Sequence, residues 1–456
     1  MVPTWRLRAR FAVALAEMYG SEVPAYHTLV DVCREVNDEA ARARGAEGER
    51  LGSIERVTAE RHGAIRVGSP RELSQVARVF GAFGMEPVGF YDLRDASRSS
   101  VPVVSTAFRP VAADELARNP FRVFTSMLVT DDRRFFDAAT QGRLERFIGS
   151  RELFGPELLA LADQARGEGL EEADAARLLA LATDAFRLTA EPIDRDWYDA
   201  LERISAVAAD VGGVPATHIN HLTPRVLDID DLYARMRARG ITMIDEIQGP
   251  PAWEGPDVLL RQTSFRALDE ERVFRRADGS IERGSLRVRF GEVEQRGIAL
   301  TRKGRDLYDR MVAEVDERRR EGVSRTDTAR EVWREHLPST EEGLAREGLG
   351  YFTYRAAGPA GPDTTLSGLV ASGALVREPV VYEDFLPRSA AGIFQSNLSD
   401  EGTRDDAQAA VDYDLERLAA LAEAHIHDPF DLYAAQQDRS IRAAEAQLGV
   451  RISADS

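Results

Sequence analysis

A single cysteine, Cys33, stands in 456 residues. It excludes a disulfide framework and any zinc or iron–sulfur centre built on thiolates. Lysine is almost absent, and arginine carries the positive charge, a usage that reflects a GC-rich bacterial genome more than a function. The net charge of −18 excludes a general basic face for phosphate backbones, so nucleic acid is not an expected partner. No apolar run approaches the roughly 18 residues of a membrane span, so no membrane is expected either. The start, "MVPTWRLRARFAVALAEMYG", is basic and then apolar, but Arg8 and Arg10 flank short apolar pieces and no small-residue cleavage site follows. It reads as an amphipathic helix of a cytoplasmic protein. Histidine is also scarce, at seven residues.

A chain of this length should contain two or three packed substructures. Residues 1–60 read as a helical N-terminal segment, with "YHTLVDVCREVNDEAARA" carrying apolar residues at helical spacing. From residue 61 the pattern changes to β-α-β-β-β. "RHGAIRV" is β-prone, and "SPRELSQVARVFGAFG" is a helix with a serine cap, proline at its first position and Gly84 at its end. "PVGFYDL", "VPVVSTAFRPV" and "FRVFTSMLVT" complete this first module, residues 61–134. Residues 135–212 are rich in Leu, Ala, Glu and Arg and read as a helical insertion.

The same order then recurs over residues 213–305. "THINHLTPRVL" is its first strand, "DIDDLYARMRARG" its helix, and "ITMIDEIQ", "VLLRQTSFRAL" and "LRVRFGEVEQRGIALT" its other strands. This is an internal repeat, in which His62-Gly-Ala-Ile-Arg66-Val aligns with His221-Leu-Thr-Pro-Arg225-Val. Residues 306–456 form a C-terminal helical region interrupted by "EPVVYEDFLPRSAAGIFQSNLSD", 378–400, whose composition suits a loop that closes over a site. The expected fold class is α+β, with two modules forming a curved central sheet and helical N-terminal, inserted and C-terminal segments. The paired modules resemble the vicinal-oxygen-chelate superfamily, which implies a divalent metal held between them.

Strand alternation separates His218 from His221, because residues three apart point to opposite faces. The repeat selects His221, which occupies the place of His62, and leaves His218 as a surface or supporting residue. Arg66 shares His62's face, four residues along, and its guanidinium can fork onto a substrate carboxylate. Arg225 follows Pro224 at a strand end and ranks lower, with solvent its expected surroundings. In "GEVEQRG", Glu292 and Glu294 lie two apart and share a face, so either can join the histidines. Two histidines and a carboxylate leave three coordination positions open and suit Fe(II) best among common metals. Gln262 and Ser264, on a neighbouring strand, are candidates for holding a ligand in place. His27, His336, His425 and His427 fall on helices or their ends and read as structural.

Glu292-Val-Glu-Gln-Arg296 is similar to the E-x-x-Q-R strand of 4-hydroxyphenylpyruvate dioxygenase-like enzymes, a resemblance that implies Glu292 as the ligand. More extensively, "RHGAIRVGSP", "INHLTPRVLDID", "LLRQTSFRAL", "FGEVEQRGIALT" and "YEDFLPRSAAGIFQSNL" resemble, in order, the 2-oxoadipate dioxygenase/decarboxylase family. The resemblance runs over roughly residues 20–445. It implies a non-haem Fe(II) enzyme of lysine catabolism that converts 2-oxoadipate and O2 to 2-hydroxyglutarate and CO2. It also implies His62, His221 and Glu292 as metal ligands, Arg66 as the catalytic arginine that grips a substrate carboxylate, and Arg388 and Ser389 in a substrate-contacting loop. The competing readings are a glyoxalase-like isomerase or lyase on the same fold, which would bring a fourth protein ligand, and a small-molecule binding protein, which has no need of the triad.

Overall fold

Alternation of apolar and polar residues along "RHGAIRV" places Ile65 and Val67 on one face and His62, Ala64 and Arg66 on the other. The computed structural model describes residues 1–45, 50–96, 101–287, 289–318, 324–397 and 402–453, and there this stretch is strand β1 (Arg61–Val67). The helix Pro70–Ala82 follows with the expected cap. The Ser69 side chain accepts from the Glu72 amide, Pro70 opens the first turn, and Gly84 takes a left-handed conformation with φ 66°. Then come β2 (Glu86–Asp92), β3 (Val103–Arg109) and β4 (Arg122–Leu128). Their order in the sheet is β2-β3-β4-β1, with β1 parallel to β4 and the other pairs antiparallel.

Both faces of this sheet are covered. Ile65, Val67, Val104, Phe108, Val123 and Met127 join a core with the Pro70–Ala82 helix and the N-terminal helices Thr4–Glu22 and Ala25–Arg44. The opposite face feeds a second core through Ala64, Ala107, Phe124 and Leu128. Residues 138–212 supply the helices Ala138–Ser150, Pro156–Gly167, Glu172–Ala185, Arg195–Glu202 and Ala206–Gly212, with the short strand β5 (Ile193–Asp194) among them.

Only four residues of "THINHLTPRVL" become a strand, β6 (His221–Pro224), which pairs antiparallel with β1. Its helix is Ile229–Ala238, capped by Asp228. The expected strand "ITMIDEIQ" is reduced to two isolated bridges, Met243 with Phe265 and Gln248 with Gln262. Five positions on one side span three on the other, so the register slips and the exposed Asp245 and Glu246 loop out. β7 (Leu260–Phe265) follows. A hairpin not foreseen from the sequence, β8 (Glu270–Arg275) and β9 (Ile281–Leu286), pairs with β5. The expected strand over 286–301 is therefore divided: Leu286 closes β9, and Gly291–Arg296 forms β10 against β7.

A bridge between Arg225 and Glu294, with Val226 N–H donating to the Glu294 carbonyl, joins the β7-β10 pair to the end of β6. Strand pairing thus continues across the repeat. Beyond it, β11 (Phe352–Ala356) and β12 (Leu375–Pro379) form a hairpin beside the helix Pro429–Leu448. The segment expected as a closing loop is the end of β12, an extended strap over 380–386, and the helix Pro387–Asn397; its residues 398–400 lie outside the described residues. A proline at the first helical position and the run Ser-Ala-Ala explain the helix, because this proline lacks only an N–H that the first turn leaves unused. No helix among the described residues is long and apolar enough to cross a membrane.

Candidate metal centre

On the β1–β6 ladder, Ala64 stands opposite His221 and Thr223 opposite His62. Directly opposed residues share a face, as do residues two apart, so His62 and His221 are diagonal neighbours on one face of the sheet. Their rings meet edge to face with centroids 5.3 Å apart. Glu292 comes from β10. Its carboxylate oxygens lie 3.3 Å from His221 Nε2 and 3.6 Å from His62 Nε2. One donor atom from each of the three falls within 4.8 Å of the others, and all three residues are buried.

The donor set fits a divalent ion. Both ring nitrogens of His221 are buried without a hydrogen bond among the described residues, a cost that a cation would remove at the nitrogen it coordinates. Burial lowers the pKa of both histidines, with the Arg66 cation adding to the effect at His221, so the rings are neutral and their lone pairs available. Burial, reinforced by the charge of Glu294, holds the Glu292 carboxyl well above its ordinary range. A bound cation would reverse that shift.

Around this group sits a set of fixed partners. Glu294 Oε2 lies 2.9 Å from His62 Nδ1, and its carboxylate accepts two bonds from Arg296, at 2.7 and 2.9 Å. Burial alone would raise Glu294, but Arg296 and His62 bring it down to about 2. Glu294 therefore orients His62 and turns Nε2 toward Glu292, a common arrangement behind metal-bound imidazoles. Gln262, on β7, donates its side-chain amide to Glu292 Oε1. Its backbone exchanges two hydrogen bonds with Gln248, which lines a cleft of about 400 Å³ shared with Arg305, Tyr308, Arg325, Arg388 and Ser389. Phe385, on the strap, places its ring 5.0 Å from that of His62, and Phe290 lies 5.3 Å from His221.

The remaining residues singled out in the sequence fall as follows. Arg66 is buried on the histidine face, and its guanidinium bonds Asp210. Ser389 is buried beside the cleft, whereas Arg388 is exposed and paired with Asp316 at 2.7 Å. His218 is not at the surface: it is buried, with Nε2 3.4 Å from Asp210, and burial and nearby arginines lower its pKa to about 4. Arg225 is likewise buried rather than solvated, donating to Glu60 at 2.9 Å and to the Leu51 carbonyl, because residues 50–60 fold over it. His336 and His427 pair with Glu314 and Glu86. Sequence reasoning missed Asp210, Phe290 and Phe385. Asp210 and Phe385 arrive from separate segments that no periodicity links to the histidines, whereas Phe290 stands two residues before Glu292 in the same expected strand, where alternation marks it.

Fold and site together define a mixed α+β protein with a buried group of two histidines and one carboxylate able to hold a divalent metal. The chain belongs to the 2-oxoadipate dioxygenase/decarboxylase family, whose sequence profile matches residues 11–397. A Mycobacterium bovis 2-oxoadipate dioxygenase/decarboxylase is 55% identical over 440 residues, covering 96% of this chain and 98% of that one. The Pseudomonas putida protein of the same name is 39% identical over 472 residues, covering 97% of each. Among solved structures, the P. putida hydroxyglutarate synthase in complex with 2-oxoadipate superposes with a TM-score of 0.85 at 37% identity, covering 98% of this chain and 99% of that one.

Proposed function

We propose that the protein is a non-haem Fe(II) dioxygenase that decarboxylates 2-oxoadipate, consuming O2 and yielding 2-hydroxyglutarate and CO2 in lysine catabolism. The observation that carries this reading is the buried His62–His221–Glu292 group, with both nitrogens of His221 lacking a hydrogen-bond partner, in a chain similar to named 2-oxoadipate enzymes over almost its whole length. Atoms balance, since both oxygens of O2 are retained between hydroxy acid and CO2. The antiparallel pairing of β1 with β6, which brings one histidine from each repeat to a shared face, supports a vicinal-oxygen-chelate-like arrangement.

His62, His221 and Glu292 would hold the metal. Bound Fe(II) supplies the redox chemistry that couples O2 to oxidative decarboxylation. The protein's own part is binding, orientation and exclusion of water. Glu294 fixes the His62 ring and Gln262 the Glu292 carboxylate. Phe290 and Phe385 flank the histidines with apolar rings that exclude water. Arg66 offers a guanidinium to the carboxylate of the 2-oxo dicarboxylic acid remote from the reacting centre. Ser389, with Arg388 at the exposed rim, faces the cleft through which such a dianion would enter.

Anaerobic reconstitution with Fe(II), followed by O2 uptake against a panel of 2-oxo acids, tests this reading. The expected result is one CO2 and one 2-hydroxyglutarate per O2 with 2-oxoadipate. No O2 uptake with any 2-oxo acid by protein that binds iron stoichiometrically would overturn it.

A further inference from the structure

Arg66 leaves β1 buried at 4% exposure, where an unpaired guanidinium would be costly. Its counter-ion comes from far along the chain. Asp210, on the helix Ala206–Gly212, accepts from Arg66 Nη1 through Oδ2, and the same oxygen accepts from Asn220 Nδ2 at 3.1 Å. The Asn220 amide also lies 3.2 Å from His218 Nε2, whose distance to Asp210 Oδ1 is 3.4 Å.

The backbone locks this cluster to β1. Thr217 Oγ1 donates to the Arg66 carbonyl at 2.9 Å and Asn220 N–H to the Ala64 carbonyl at 2.8 Å, one residue before His221. The Asp210 helix is tied down in turn. Arg151 donates to the Val211 carbonyl at 2.6 Å and is itself paired with Glu72. The Arg66 side chain is thus held from one side by the helical insertion and from the other by the segment that carries a histidine of the metal group.

We propose that Asp210 is a positioning residue for Arg66 and thereby sets the spacing between carboxylates that the site accepts in a 2-oxo dicarboxylic acid. This rests on the reading above that Arg66 grips the remote carboxylate. A buried bond to Asp210 leaves the guanidinium one orientation rather than the several open to a long flexible side chain. A fixed cation at a fixed distance from the metal group selects one chain length, because moving a charged contact by about 1 Å is enough to cost up to about 100-fold in rate. Asp210 also neutralises Arg66 before substrate arrives, so the dianion is recognised by position and not by excess charge alone.

The test compares wild type, Asp210→Asn, Asp210→Glu and Arg66→Gln as Fe(II) holoenzymes, using 2-oxoglutarate, 2-oxoadipate, 2-oxopimelate and the monocarboxylic 2-oxohexanoate. In Asp210→Asn we expect KM for 2-oxoadipate to rise about tenfold or more, with kcat within about threefold. Its preference for 2-oxoadipate over the shorter and longer dicarboxylates should fall about tenfold, with 2-oxohexanoate turnover and Co(II) binding unchanged. Equal losses on all four acids, with the preference intact, would show a purely structural role and overturn the proposal. If Asp210→Asn does not accumulate, Asp210→Glu decides: retained charge on a longer arm should shift the preferred chain length, and an unaltered order of preference counts against positioning. Arg66→Gln separates the two levels. An unchanged KM for 2-oxoadipate there removes the underlying reading, whereas a raised KM there with none in the Asp210 variants removes only the positioning.

Discussion

On β10, Glu292 and Glu294 share a face and a strand, yet their neighbours drive them in opposite directions. Glu292 meets two neutral imidazoles and an amide, with no cation bonded to it among the described residues, and is held toward its protonated form. Glu294 meets Arg296 and is brought to about 2. For a carboxyl whose folded pKa is raised, the stabilising contribution is complete below the ordinary value near 4.5 and is lost as pH climbs through the folded value. Glu292 therefore contributes a falling slope to the stability of the metal-free protein above about pH 5, opposed below about pH 6.5 by the buried His62, His218 and His221, whose lowered pKa values add stability as pH rises. Glu292→Gln should flatten that slope in the metal-free protein, and Fe(II) should restore stability to wild type but not to the variant. Thermal melts at several pH values, with and without metal, check both statements. His62→Ala and His221→Ala are each expected to abolish stoichiometric metal binding and reduce activity at least about 100-fold while the far-ultraviolet spectrum is kept. Full metal occupancy in either variant would remove that histidine from the ligand set.

At the scale of elements, the site depends on register. A one-residue slip of β6 against β1 would turn His221 to the opposite face, into the core around Leu222 and Ile219. β10 has its own register lock. Gly291 stands opposite Phe265, and a β-carbon there would sit 1.8 Å from the aromatic ring. Gly291→Ala should displace that ring, cost about 1–3 kcal/mol, and shift Glu292 beside it. Chemical denaturation reads the first effect and a Co(II) titration the second; an unaltered Co(II) affinity would mean that β10 tolerates the strain without moving its glutamate. Helix limits were legible because caps are local, as Ser69 and Asp228 show. The Asp245–Glu246 bulge was not, since alternation continues through it in the sequence. The β8–β9 hairpin did carry a signal, Asp278-Gly279, with φ 84° at the glycine. Its strands are mostly polar and β8 pairs with β5 from the insertion, so no apolar alternation accompanies that turn.

Over the whole molecule, charges buried behind the metal group form one connected system. Glu60 bonds Arg122 and Arg225; Arg122 and Arg56 both reach Glu383 on the strap; Arg296 bridges Glu294 to the strap carbonyls of Tyr382 and Asp384. Asp384 in turn takes two bonds from Arg109 and one from Tyr433. Glu60, fully buried among four arginines, is held far below the usual carboxylate range, as their cations outweigh its burial. Removing its charge by Glu60→Gln leaves Arg225 without a carboxylate partner in the interior, so a loss of about 3–5 kcal/mol is expected in urea denaturation. A loss under about 1 kcal/mol would show the arginines repairing among the remaining acids.

The periodicities, the repeat that matches His62 with His221, the shared face of Glu292 and Glu294, and the family are all legible along the chain. Each follows from short-range rules, alternation along a strand or residues aligned within a motif, which hold wherever the strand is placed. Folding alone buries Arg225 against Glu60, brings His218 to Asp210, and sets Arg66 against a helix from the insertion. Those pairings join residues more than a hundred positions apart, or place a side chain on a loop with no period to follow. Burial and charge at a site are sums over spatial neighbours, and chain order does not encode them.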